Sequence, residues 1–152
     1  MRQIKIIQKS KKDETKVLLF EYLIELLKYD YDIVVDNNGM PTYKWFDCYW
    51  EDNGRFPFYL VIDGKIAGFA FIRELNNKAY EIAEFYVASK FRKDGNSLWF
   101  ANQVCDLFCG ELELSAVTKN VRAIKFWDKF VNEREILAKE IDGKWKKWRI
   151  KI

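Results

Sequence analysis

The chain predicts an α/β fold in one domain over residues 1–152, and three observations carry that expectation. Runs of β-branched and aromatic residues alternate with segments whose apolar residues recur every three or four positions, so strands and helices are interleaved. Two Asp-Gly pairs, Asp63-Gly64 and Asp142-Gly143, each join two strand-like runs, and this dipeptide favours a tight hairpin turn. With 152 residues and 49% hydrophobic content the chain can bury one substantial core, and no linker, repeat or low-complexity segment marks a second unit.

Residues 2–8 alternate enough for a first strand, with Ile4 and Ile6 on one face. Asp13 is placed to cap a helix reaching about Tyr29, along which Val17, Phe20, Leu23, Ile24 and Leu27 form an apolar stripe. Asn37-Asn38-Gly39 reads as a turn, and Pro41-Thr42 as the opening of a shorter helix carrying Trp45, Phe46, Tyr49 and Trp50. Strands follow at about 57–62 and 65–74 across the Asp63-Gly64 turn. Another strand ends near Val87, a short polar loop intervenes, and at Gly95 a helix pattern begins with Leu98, Ala101, Val104, Cys105 and Phe108.

The loop before that helix is the chemical centre of the sequence. The first helical turn leaves backbone N–H groups without intrahelical partners and carries the positive end of the macrodipole. A loop that also supplies Arg92 and Lys93 suits a phosphate or pyrophosphate, and Gly95 lets the backbone approach it closely. The alternative is an ordinary surface turn capped by Asp94 or Asn96.

Three groups of residues, Phe85-Tyr86-Val87, Arg92-Lys93-Asp94-Gly95-Asn96-Ser97, and Asn120 with Ala123, Phe126 and Trp127, resemble in order and spacing the GNAT acetyltransferase superfamily. That family's cofactor loop reads Q/R-x-x-G-x-G/A and its following helix N-x-x-A-x-x-F-Y/W; the resemblance covers about residues 56–130. It implies a mixed, mostly antiparallel sheet of about six or seven strands flanked by about four helices. Two parallel central strands, residues 80–88 and 111–117, would splay apart there to admit the pantetheine arm of acetyl-CoA. Acetyl-CoA would be held by the backbone of Phe85, Tyr86 and Val87, by loop residues 92–97 at its pyrophosphate, and by the helix bearing Asn120, Ala123, Phe126 and Trp127. The resemblance further implies transfer of the acetyl group to a primary amine, with no metal, by a monomer or homodimer. Taken only as sequence, Phe85, Tyr86 and Val87 are buried strand residues.

Composition narrows the chemistry. The chain has no histidine, which removes Ser-His-Asp and Cys-His hydrolases, histidine-ligated metals and histidine bases together. Acyl transfer from a ready-made thioester survives this exclusion, because it needs only a modest base and a seat for an oxyanion. A net charge of +3 from 26 basic and 23 acidic residues argues against a dedicated nucleic-acid binder. Residues 139–152 hold six Lys or Arg against Glu140 and Asp142, and a lysine-protected edge strand accounts for them better than a polyanion site. The three cysteines form no even set and suit a reducing cytoplasm, and no apolar run is long enough for a signal peptide or membrane span, so a soluble protein is expected.

An amine with a pKa of about 10.4 must lose a proton before it attacks, and a partly desolvated carboxylate is suited to take it. Glu84, immediately before the Phe85–Val87 triplet, is the favoured base, and Glu81 is the alternative, at the position where a histone-modifying branch of the resembled family carries its base. Strand alternation puts the two on opposite faces unless a bulge intervenes. The chain departs from the family pattern at Ser97, at Asp94 beside the pyrophosphate, at Ser115 where many members have a glutamate, and at Trp127 where many have a proton-donating tyrosine. Tyr29, Tyr31, Trp45, Tyr49 and Trp50 form either part of the core or an aromatic surface for the acceptor. Two other classes stay open: a non-catalytic acyl-CoA-binding regulatory module, and a nucleic-acid module built on the basic tail.

Overall fold

The structure, a computed structural model, describes residues 1–152. Seven strands, β1 (Arg2–Ile6), β2 (Arg55–Ile62), β3 (Lys65–Asn76), β4 (Ala79–Val87), β5 (Glu111–Val117), β6 (Glu135–Asp142) and β7 (Trp145–Lys151), form one sheet in the order β1-β2-β3-β4-β5-β7-β6. All neighbouring pairs are antiparallel except β4 and β5, which run parallel. Four helices, α1 (Lys12–Leu26), α2 (Cys48–Glu51), α3 (Asn96–Cys105) and α4 (Val121–Asn132), complete the expected α/β architecture.

The centre of the sheet is covered on both sides, which is why β3 reads as an unbroken apolar run with Ala67 through Ile72 buried. On one face Tyr59, Val61, Phe69 and Phe71 pack against Leu19 and Leu23 of α1 and Phe46 and Tyr49 near α2. On the other face Phe58, Leu60, Ala70 and Ile72 pack against Phe100 and Val104 of α3 and Trp127 and Phe130 of α4. Gly68 is required where β3 meets β4, since a Cβ there would sit 2.1 Å from the Tyr86 carbonyl oxygen.

Both Asp-Gly hairpins form where expected, and the strand at 111–117 is reproduced. Leu98, Ala101, Val104 and Cys105 turn toward the core; Phe108 lies past the end of α3 and packs on Phe56, Phe58 and Tyr80. In β1, Ile4 packs against the core while Ile6 is 65% exposed at the sheet edge.

Helix α1 differs from its expected orientation. Its buried face is Thr15, Leu19, Leu23 and Leu26, whereas Val17, Ile24 and Leu27 are exposed. Apolar residues occur all around this helix, so periodicity does not select a face. Thr15 helps select it, because its hydroxyl bonds back to the Lys11 carbonyl at 2.8 Å and to the Tyr59 hydroxyl, satisfying a buried polar group. Asp13 is not the cap; the helix enters through a 3-10 turn at Lys9–Lys11, and Asp13 lies in its first turn.

The second helix is also shorter than expected. Asp36 accepts N–H bonds from Asn38 and Met40, and Val35 bridges Pro41, which holds Pro41-Thr42 extended and leaves only the single turn Cys48–Glu51 helical. The basic tail is corrected too. Strand β6 is the edge, and lysine-rich β7 lies inside the sheet between β5 and β6. Most of the positive charges in and just before β7 are paired: Lys144 with Asp30 and Asp32, Lys146 with Asp128, Lys147 with Asp142, and Arg149 with Glu111.

Candidate functional site

Strands β4 and β5 pair only at Ala79↔Glu111, Tyr80↔Leu112 and Glu81↔Glu113. Beyond that point β5 stays with β7 while β4 stays with β3, so the two parallel strands diverge. A bulge marks the divergence: Phe71 pairs with Glu84 and the next β3 residue, Ile72, with Ile82, leaving Ala83 unmatched. Between the strands opens a cleft of about 510 Å³, walled by α1, the loop before α3, and the start of α4.

The bulge decides the geometry of the two carboxylates. Phe71 and Arg73 share a face of β3, so their partners Glu84 and Glu81 share a face of β4. Glu81 is held by Arg73 at 2.8 Å and does not line the cleft. Glu84 does line it, and accepts a hydrogen bond from the Tyr22 hydroxyl at 3.1 Å. Burial pushes the Glu84 carboxyl up to about 8; the Tyr22 bond opposes this rise and the nearby Glu81 adds to it. Burial, reinforced by Glu84, in turn pushes the Tyr22 phenol well above its ordinary range.

The loop residues are arranged as a donor surface. Gly95 has φ +69° and caps α3, and Asp94 before it is also left-handed, with φ +57°. The N–H groups of Lys93, Asp94, Gly95, Ser97 and Leu98 reach no backbone acceptor. Arg92, Lys93, Gly95, Asn96 and Ser97 line the cleft, whereas Asp94 does not. Neither Asp94 nor Asn96 makes a side-chain cap. Asn96 is 6% exposed and donates to the Phe91 carbonyl, and Arg2 reaches the loop at the Asp94 carbonyl, so the loop is braced from behind.

On the opposite wall, Asn120 caps α4 by accepting from the Ala123 N–H, and its amide donates to the Tyr31 hydroxyl at 3.1 Å. Ala123, Phe126 and Trp127 line the cleft beside Phe85, Tyr86 and Val87. The Phe85 ring packs on Phe100, Phe126 and Trp127, with centroids 5.2, 5.8 and 5.1 Å away. Ser115 also lines the cleft, in the place considered for a second carboxylate.

The structure thus gathers Glu84 and every loop, strand and α4 residue considered above except Asp94 around one cleft, and leaves Glu81 outside it. The aromatic group does not stay together. Tyr49 is buried over Phe71, Trp50 packs on the same cluster, Trp45 is 46% exposed, and Tyr31 alone of the five enters the cleft. Sequence reasoning missed Tyr22 and Glu25, because the face expected for α1 hid them. It also missed Arg122, whose signal was its position within the Asn120–Ala123 segment. Arg92 and Arg122 both bond Glu25, at 2.9 and 2.5 Å. Burial alone would raise the Glu25 carboxyl, but the two guanidiniums hold it below its ordinary value. No group of three or more Asp, Glu or Cys side chains is placed to hold a metal ion, and no helix is long and apolar enough to cross a membrane.

The splayed pair of parallel strands, with N–H donors at one end and a carboxyl with a raised pKa at the bulge, forms a cleft shaped for an extended ligand with an anionic end. The profile of the Acetyltransferase (GNAT) family matches residues 20–131, and the chain belongs to that family. No curated protein matches the sequence. Among solved structures, a GNAT-family acetyltransferase of Streptococcus agalactiae 2603 superposes with TM-score 0.73 at 16% identity, covering 99% of this chain and 95% of that one. A ribosomal-protein-alanine N-acetyltransferase of Brucella melitensis gives 0.68 at 14% identity, covering 99% of each chain. A GNAT family acetyltransferase of Elizabethkingia anophelis, with acetyl-CoA bound, gives 0.63 at 12% identity, covering 99% and 98%. At these identities the likeness is one of fold.

Proposed function

We propose that the 152 residues form one catalytic unit, an N-acetyltransferase that moves the acetyl group of acetyl-CoA directly to a primary amine within a ternary complex. The observation that carries this reading is Glu84: a cleft-lining carboxyl pushed up to about 8, at the bulge where the strands part. The residues present fit acetyl-CoA. The N–H groups without acceptors between Lys93 and Leu98 suit its pyrophosphate, and the edge of β4 beyond Glu81, which β5 does not cover, suits an extended, amide-bearing arm. Acetyl-CoA supplies an activated thioester.

In its ionised form Glu84, through Oε2 or a water it holds, takes the proton of the acceptor ammonium while Tyr22 fixes Oε1; the freed amine bonds to the acetyl carbon, the carbon–sulfur bond breaks, and the departing thiolate or water takes the remaining proton from the acylated nitrogen. A proton acceptor with a pKa near 8 is well placed for this work, since it is basic enough to bind the proton and close enough to neutrality to release it again. A main-chain N–H within Phe85–Val87 stabilises the oxyanion, and the packed rings of Phe85, Phe126 and Trp127 keep that wall dry. Glu81, already paired with Arg73, tunes Glu84 by its charge and does not itself take the proton.

The test is thiol release from acetyl-CoA across a panel of primary amines. Glu84→Gln is expected to keep CoA affinity and lose about 10²–10⁴-fold in rate, the usual worth of a positioned base. Glu81→Gln is expected to lose far less. CoA binding by calorimetry without release from any amine would instead favour a non-catalytic acyl-CoA module, to which Trp127 in the family's tyrosine position would be no impediment.

A further inference from the structure

Two guanidiniums from different elements converge on one carboxylate inside the cleft. Arg92, at the start of the loop, donates from Nη2 to Glu25 Oε2 at 2.9 Å, and Arg122, in the first turn of α4, donates from Nη2 to Oε1 at 2.5 Å. All three residues line the cleft, and Glu25 is 23% exposed to it. The trio carries two positive charges against one negative charge. It lies beside N–H groups that have no acceptor, at Lys93, Asp94, Gly95, Ser97 and Leu98. A site with oriented donors and a surplus of positive charge is matched to an anion larger than a carboxylate.

We propose that Arg92 and Arg122 form a phosphate subsite whose occupant in the free protein is the Glu25 carboxylate, and that the cofactor's phosphate displaces Glu25 when it binds. The inference rests on the acetyl-CoA reading, in which Arg92 already belongs to the pyrophosphate loop, and adds to it Arg122 as a second ligand and Glu25 as an internal competitor. The cofactor's pyrophosphate offers four non-bridging oxygens and two negative charges against the two oxygens and one charge of a carboxylate, so it is the better partner for two guanidinium forks. Glu25 stays ionised in the free protein because the arginines hold it so, and its partial exposure lets water solvate it once it is released. The arrangement keeps the two arginines paired and presets their positions. The same turn of α1 carries Tyr22, three residues earlier, so one helix end touches both the phosphate pair and the Glu84 carboxyl.

Calorimetric affinities for CoA and for phosphate-free pantetheine, measured on the wild type, Glu25→Gln and Arg122→Gln, test the proposal. Glu25→Gln is expected to bind CoA about 2- to 5-fold more tightly, the release of one partly exposed ion pair, with pantetheine affinity unchanged. Arg122→Gln is expected to bind CoA more weakly by a similar factor, again without effect on pantetheine, which keeps the proposal testable even if Glu25→Gln folds poorly. Unchanged or weaker CoA binding in a folded Glu25→Gln protein would make Glu25 a structural bridge and overturn the inference. So would Arg122→Gln with wild-type CoA affinity. Failure of every protein, wild type included, to bind CoA would overturn the acetyl-CoA reading itself.

Discussion

Glu84→Gln should make the protein more stable as the pH rises, and the structure sets the size of the effect. The folded carboxyl is pushed up to about 8, against an ordinary value of 4.5. Below pH 4.5 the group is protonated in both the folded and the unfolded chain and costs nothing. Between 4.5 and 8 the unfolded chain releases the proton and the folded chain keeps it, so folding stability falls with rising pH by about 1.4 kcal/mol per unit. Over the full interval that amounts to about 5 kcal/mol, reduced to about 2–4 kcal/mol because Glu84 opens onto water in the cleft. Glutamine is neutral throughout and can still accept the Tyr22 hydrogen bond through its amide oxygen. The two proteins should therefore unfold in nearly the same urea concentration at pH 4.5, and the variant should be the more stable by about 2–4 kcal/mol at pH 8.5, or about 5–15 °C in Tm. Chemical denaturation across this range is the assay. A stability difference that stays constant with pH would refute the buried, proton-holding state of Glu84.

Gly95→Glu should abolish CoA binding while preserving the circular dichroism spectrum: a Cβ there meets nothing within 4 Å, so the side chain enters open space beside the N–H donors and brings a negative charge. The left-handed φ of +69° adds about 1–2 kcal/mol of strain, visible as a lowered Tm, and full CoA affinity would place the pyrophosphate elsewhere. Tyr22→Phe removes the bond that favours the ionised form of Glu84, so the acidic limb of the pH–rate profile should move upward; an unmoved limb would separate Tyr22 from the base. Trp127→Phe should retain most of the maximal rate, because a thiol with a pKa of about 8.5 leaves readily and an indole is no proton donor of consequence. Trp127→Ala should weaken acetyl-CoA binding and, since Trp127 is only 7% exposed and packs on Phe85 and Phe130, also cost about 3–5 kcal/mol in stability. A collapsed rate in Trp127→Phe with normal binding would assign the indole N–H a catalytic part.

Much of the site is local in origin and was legible in the residues themselves. Gly95 before an amphipathic run marks a loop feeding a helix, and Asp63-Gly64 and Asp142-Gly143 mark hairpins; each is an interaction between near neighbours in the chain. What only tertiary structure decided involves choices between faces and partners. Helix α1 is apolar around most of its circumference, so its period was readable but its orientation was not; packing of Thr15 under Tyr59 turned Tyr22 and Glu25 into the cleft. The bulge at Ala83, which puts Glu84 and Glu81 on one face, exists only as a mismatch between β4 and β3. The lysines of β7 looked like edge protection until the sheet placed β6 outside them and carboxylates from distant segments beside them. Periodicity and capping follow from interactions a few residues long, whereas the register of a strand, the face of a helix and the partner of a charge depend on atoms that sequence separates and folding brings together.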